Sequence, residues 1–146
     1  MFLKDGFQIA VTYVFDSEVD PFLEQTIDFE QQVNLHQVDV TDPTQVQRFT
    51  ATIINQFEGI DVVANIAGGF IGGLSVSEMD TEKWDFMMDL NLKSVFLMCK
   101  AVLPHMIERS SGKIVNVSAR AGLAGAAGMG AYCVSKGGVR TLTESI

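Results

Sequence analysis

The sequence predicts an α/β fold built on a doubly wound parallel sheet, and three observations carry that expectation. Short β-branched runs at residues 8–13, 33–40, 61–65 and 113–117 alternate with helical stretches along the chain. Alternation of this kind sets parallel strands side by side through helical crossovers. The runs 61–65 and 113–117 are apolar enough to be buried, the former on both faces. Finally, Ser118, Tyr132 and Lys136 follow the last of these runs, separated by a glycine-rich loop and the start of a helix. Strand end, loop and helix gather polar groups at the carboxyl edge of a parallel sheet, where open α/β folds bind ligands.

Each element has a local cause. Asp5-Gly6 reads as a helix end turning into the strand 8–13. Asp20-Pro21 supplies a cap and a first-turn proline for a helix running to about Phe29. Asp42-Pro43 repeats that signal after the strand 33–40, and Val46, Phe49, Ile53, Ile54 and Phe57 then fall on one helical face. A glycine-rich loop, 67–73, follows the third strand. A long helix is expected over 81–108, with Phe86, Leu90, Val95, Phe96, Cys99, Val102 and Leu103 as a wide apolar face. Ser110-Ser111-Gly112 marks its end, the fourth strand comes next, 122–130 is a flexible connection, and a last helix starts near Tyr132. The methionines at 87, 88, 98 and 106 read as packing on the long helix.

Composition narrows the function. The chain has 146 residues, room for a single domain, 1–146, with 47% hydrophobic and 19% charged residues. Its net charge of −8, without a cluster of Lys or Arg, argues against nucleic acid or an anionic membrane as partner. No apolar run reaches the roughly 18 residues that span a bilayer, and the first residues lack a signal-peptide layout. Two cysteines, Cys99 and Cys133, form no metal or redox spacing and suit a reduced, cytoplasmic setting. His36 and His105 have no partners at metal-ligand spacing, so no metal is expected. Ser118 lacks the His-plus-carboxylate company of a hydrolase nucleophile.

Tyr132 and Lys136 are four residues apart, so on a helix they share one face. Alone, that spacing equally fits a half-buried tyrosine beside a surface lysine. The company is more specific: Asn65-Ile66-Ala67-Gly68 after one strand, Asn91 inside the long helix, and Asn116-Val117-Ser118 at the end of another strand. Taken together, these motifs resemble the short-chain dehydrogenase/reductase family, of the kind that includes the bacterial 3-oxoacyl-carrier-protein reductases. The resemblance covers essentially the whole chain and implies a Rossmann-type domain. It further implies an oxidoreductase transferring hydride between NAD(P) and a small carbonyl or alcohol substrate.

The resemblance also assigns roles. Tyr132 would be the general acid or base; a free phenol titrates near ~10, and a neighbouring ammonium favours its ionised form. Lys136 would also bond the nicotinamide ribose. Ser118 would hydrogen-bond the substrate oxygen and hold it for hydride transfer. Asn91 would bend the long helix and anchor a water leading from Lys136; as bare sequence it could equally be a solvent-facing asparagine. Asp39 and Val40 would sit against the adenine ring, although Asp39 also fits a strand end before the Asp42 cap. Asn65, Ala67 and Gly68 would shape the floor under the adenosine half, small residues letting the backbone come close. The long helix and the helix from Tyr132 would form a homodimer or homotetramer in a full-length parent.

The family pattern opens with a strand and a Gly-rich phosphate-binding turn, and both are absent here, as are its last strands. The expectation is therefore an incomplete sheet, a chain truncated at both ends, with Met1 an internal methionine of a longer reading frame. The absent strand would leave residues 8–13 and 61–65 two strand spacings apart, roughly 10 Å, unless they pair directly. The cofactor could be NAD or NADP; Asp16, past the first visible strand, inclines the reading to NAD. The alternative from another class is a catalytically inactive fragment unable to bind dinucleotide, at most an interaction module.

Overall fold

Both β-ladders among the described residues are parallel, as the strand–helix alternation requires. The computed structural model describes residues 2–146, and the chain divides into one unit ending at Gly59 and another spanning Ile60–Ile146. Strands β1 (Ile9–Tyr13) and β2 (Val33–Gln37) form one two-stranded sheet, and β3 (Val62–Asn65) and β4 (Lys113–Asn116) form another.

In the first unit, a 3-10 turn at Leu3–Asp5 ends on Gly6 at φ 84°, the left-handed stop that Asp5-Gly6 announces. The ladder runs from Ile9 opposite Val33 to Tyr13 opposite Gln37. Strand β2 ends three residues short of the expected 33–40. One more ladder bond forms, from Val38 N–H to the Tyr13 carbonyl at 2.9 Å. Asp39 then turns the chain, its carboxylate accepting from the Thr41 N–H and hydroxyl at 2.8 and 2.7 Å.

Helix α1 (Val19–Gln25) starts before the expected Asp20 cap, at Glu18. The Glu18 carboxylate accepts the N–H groups of Val14 and Phe15 at 2.9 and 3.0 Å, closing the turn that feeds the helix. Nor does the helix continue to Phe29. Thr26 bonds back to the Phe22 carbonyl at 3.0 Å, and a 3-10 stretch, Ile27–Gln32, takes over with Phe29 off helical geometry at φ −131°. Helix α2 (Pro43–Phe57) obeys its signals. Asp42 caps it through Thr44 and Gln45 N–H at 2.7 and 3.1 Å, Pro43 occupies the first position, and Val46, Thr50 and Ile53 are buried. His36 of β2 packs edge-on against Phe49 of this helix, ring centres 5.2 Å apart.

In the second unit, the expected long helix is present but interrupted. Helix α3 (Thr81–Met88) passes through a π turn, Asp89–Lys93, into α4 (Ser94–Glu108). The π turn carries one residue more per turn and so rotates everything beyond it about the axis. Of the expected apolar face, Val95, Cys99 and Val102 are buried, whereas Phe86, before the π turn, and Phe96, beyond it, are 54% and 45% exposed. Met87, Met98 and Met106 are buried, as their reading as packing residues expects, and so is Leu97, which that face left out. Ser110, at φ 50°, ends α4, and the Ser111 N–H reaches back to the Met106 carbonyl at 3.0 Å.

Neither strand of the second sheet is buried on both faces. Val63 and Asn65 alternate with exposed Ala64, and Ile114 and Asn116 with exposed Lys113 and Val115. The covered face packs Ile114 against Val95, Cys99 and Val139, the last from α5 (Gly130–Glu144). Strand β4, the following turn and α5 thus place Ser118, Tyr132 and Lys136 in one unit. Among the described residues, no helix is long and apolar enough to cross a membrane.

Candidate functional site

The site is built where the end of β4 meets the first turns of α5, and two hydrogen bonds tie them reciprocally. Ser118 Oγ donates to the Lys136 main-chain carbonyl at 2.7 Å, and Lys136 Nζ donates to the carbonyl of Val117 at 2.9 Å. Such contact demands close approach, and Gly122 supplies it: a Cβ there would lie 2.7 Å from the Lys136 carbonyl carbon and 2.8 Å from the Gly137 nitrogen. Lys136 is 5% exposed, and burial pushes its ammonium below the ordinary 10.5. Of its three N–H donors one serves Val117.

Tyr132 stands one helical turn before Lys136, half-buried, with its ring edge-on to Phe70 at 4.9 Å between centres and 90° between planes. The loop carrying Phe70 is held from the π turn. Asn91, fully buried, accepts the Gly69 N–H through Oδ1 at 2.9 Å and donates through Nδ2 to the Gly69 carbonyl at 3.0 Å and to Ser135 Oγ at 3.2 Å. Ser135 in turn donates to the Tyr132 carbonyl at 3.0 Å. A Cβ on Gly68 would meet Asn91 Oδ1 at 2.7 Å and Lys136 Nζ at 3.1 Å, so amide and ammonium face one small space that only glycine leaves open.

The other expected residues have surroundings of their own. Asn65 donates to Asn116 Oδ1 at 2.8 Å, and Asn116 donates to Thr143 Oγ1 at 2.9 Å, an amide chain fastening β3 to β4 and α5. Ala67 is exposed. Asp39 and Val40 belong to the first unit, where Asp39 is exposed and bonded to Thr41 while Val40 is buried. Cys99 lies under Asn65, and burial raises its thiol pKa, as suits an unreactive core residue.

The sequence model described as short chain dehydrogenase matches residues 1–146. The chain belongs to the short-chain dehydrogenase family. It is 30% identical over 145 residues to the 3-oxoacyl-[acyl-carrier-protein] reductase FabG of Thermotoga maritima, covering 99% of this chain and 58% of that one. It is 40% identical over 111 residues to the 2-(R)-hydroxypropyl-CoM dehydrogenase of Xanthobacter autotrophicus, covering 74% and 44%. Among solved structures, ElxO with NADP bound superposes with a TM-score of 0.91 at 28% identity, over 97% of this chain and 57% of that one. Serine dehydrogenase from Escherichia coli does so at 0.87 and 27% identity, over 99% and 65%. The chain thus spans between 44% and 65% of the length of these relatives, and in that span the Rossmann-type fold of the family is incomplete.

Several residues of this short-chain dehydrogenase site escaped the sequence reading. Gly69, Phe70 and Ser135 became visible only through their contacts with Asn91 and Tyr132. Ser135 had a usable signal, being three residues after Tyr132 on the same helix and so within reach of its carbonyl. Phe70, a single large aromatic in a glycine-rich loop, had a weaker one.

Proposed function

We propose that this chain carries the proton-transfer part of an NAD(P)-dependent oxidoreductase that interconverts a carbonyl and an alcohol. The observation that carries the proposal is the reciprocal tie between Ser118 and Lys136, which sets the β4 end against the turn of α5 bearing Tyr132. A bound nicotinamide dinucleotide would supply or accept the hydride. Tyr132 would give a proton to the carbonyl oxygen, or take one from the alcohol, through its phenolic oxygen. Ser118, released from the Lys136 carbonyl, would hydrogen-bond the same oxygen and fix its position. Lys136 would hold ribose hydroxyls with its two remaining donors, above the space that Gly68 leaves open. Asn91 and Ser135 would position the loop and the helix turn rather than touch substrate.

ElxO has been seen with NADP and, as a variant, with NADPH, the oxidised and reduced forms of one cofactor, which supports a nicotinamide dinucleotide for this family member. Exposed Phe86, Phe96 and Val134 on α3, α4 and α5 support the reading of those helices as a surface for self-association.

A second reading is favoured by the same two bonds. In this structure Ser118 and Lys136 are committed to main-chain acceptors, as in a fragment that keeps the motif for packing alone. Isothermal titration of the chain with NADH and NADPH separates the two. Low-micromolar binding of either supports the oxidoreductase and excludes the inert fragment, while no heat with both leaves the proposal without its cofactor.

A further inference from the structure

The geometry points to Phe70 as a specificity-determining residue that selects substrates bearing a flat, unsaturated ring beside the carbonyl or carbinol carbon. This rests on the reading of Tyr132 as the residue that meets the reacting oxygen. Phe70 is the aromatic side chain in contact with the Tyr132 ring, edge-on at 4.9 Å, yet it remains 60% exposed. An apolar ring so placed beside the phenol, with most of its surface free, is a ready wall for a substrate group.

Its position is built rather than accidental. Gly69, the residue before it, is clasped at both N–H and C=O by Asn91. Gly73, three residues after it, donates to the Gly128 carbonyl at 2.8 Å, and Leu74 bridges to Met129. The loop is therefore anchored on either side of the ring. Gly72 lies beneath the ring itself: a Cβ there would come within 2.4 Å of Phe70 Cζ. Any other residue at 72 would force the ring to shift from this position. The anchors at Gly128 and Met129 lead directly into the α5 turn that carries Tyr132, so both rings are fixed to one frame.

Aromatic pairs gain beyond their buried area because ring edges meet ring faces, and an aliphatic chain of equal carbon number lacks that gain. An aryl ketone should accordingly bind beside Tyr132 about fivefold more tightly than a linear one. The test uses acetophenone and 2-octanone, titrated into the full chain with isotope-labelled tyrosine and followed by NMR. Tyr13, in the other unit, is the internal control.

Both ketones are expected to shift the Tyr132 resonances and spare Tyr13, with acetophenone the tighter ligand. Phe70→Leu should bring the ratio of dissociation constants to about one, leaving that of 2-octanone unchanged, while Phe70→Tyr should keep the preference. Contacts between acetophenone ring protons and Phe70 in the unaltered chain give a readout that needs no variant. An unchanged ratio in Phe70→Leu, absence of those contacts, or no selective shift of Tyr132 overturns the assignment. None of these readouts requires hydride transfer. A chain that binds aryl ketones there without turnover loses the oxidoreductase reading alone, and turnover without aryl preference loses the role of Phe70 alone.

Discussion

Asn91 pairs with Gly69 as one amide pairs with another, accepting its N–H at 2.9 Å and donating to its carbonyl at 3.0 Å. The pairing depends on the π turn Asp89–Lys93, whose extra residue brings a polar side chain out of an apolar helix and into the unit's interior. Through Ser135 the same amide also reaches the Tyr132 carbonyl. One side chain thereby couples the loop, the long helix and the turn that bears the phenol.

Replacing Asn91 by Leu leaves both main-chain groups of Gly69 without that partner. Unpartnered groups of this kind cost about 1–3 kcal/mol each, and partial exposure of Gly69 places the total near ~2 kcal/mol. Urea unfolding should show that loss, and the Gly69 amide should exchange its hydrogen markedly faster. A loss below ~0.5 kcal/mol, the range of ordinary surface changes, with unchanged exchange would show that Asn91 does not hold the loop.

Gly122 and Gly125 lie three residues apart and should respond oppositely to alanine. At Gly122 the new Cβ would sit 2.7–2.8 Å from main-chain atoms of Lys136 and Gly137, which cannot rotate aside. Overpacking of that sort costs about 1–3 kcal/mol, and it would part Ser118 from α5. Nothing lies within 4 Å at Gly125, so alanine there should stay within about 0.5 kcal/mol of the parent. Equal effects in paired melting curves would mean that the β4–α5 contact is looser than the structure has it.

What the sequence disclosed follows from how local each cause was. Asp42-Pro43 needs only its own turn to cap α2, and the structure has the cap as expected. The segment 18–32 depends on a competition between the Glu18 carboxylate, the Thr26 hydroxyl and helical continuity, which spacing alone does not decide. Beyond Asn91 the periodicity marks Val95, Cys99 and Val102 as buried, which they are, but it carries no mark of the π turn itself, nor of the exposure of Phe96. Exposure of Val115, 54%, depends on what covers the sheet rather than on the strand's own composition. At the site, Ser118 and Lys136 were legible from spacing and do meet, whereas their actual acceptors, two main-chain carbonyls, carry no sequence signature.

Tyr132→Phe should separate chemistry from folding. Among the described residues the phenolic O–H has no hydrogen-bond partner, so removing it should change stability by less than ~0.5 kcal/mol. If the phenol exchanges the reaction proton, turnover with NAD(P)H should fall by at least about 100-fold. Melting curves and initial rates on one preparation give both numbers. A variant that retains the parent's rate removes Tyr132 from the proton transfer.

Lys136 makes stability depend on alkaline pH, with a sign set by burial. Its ammonium is pushed below the ordinary 10.5 in the folded chain. Below the folded value both states carry the proton, and the cost of burying the charge is borne in full. Between that value and 10.5 the folded state has released its proton while the unfolded state keeps it, so stability rises with pH. The neutral amine can still donate to the Val117 carbonyl, so the hydrogen bond at 2.9 Å need not be lost with the charge. Relative to Lys136→Met, which lacks the titration, the parent should therefore gain stability as pH climbs from neutrality towards 10.5. The difference between the two urea midpoints, followed across that range, cancels the titrations they share. Parallel curves, or a parent that loses ground as pH rises, would place the ammonium in water instead of beneath the β4–α5 contact.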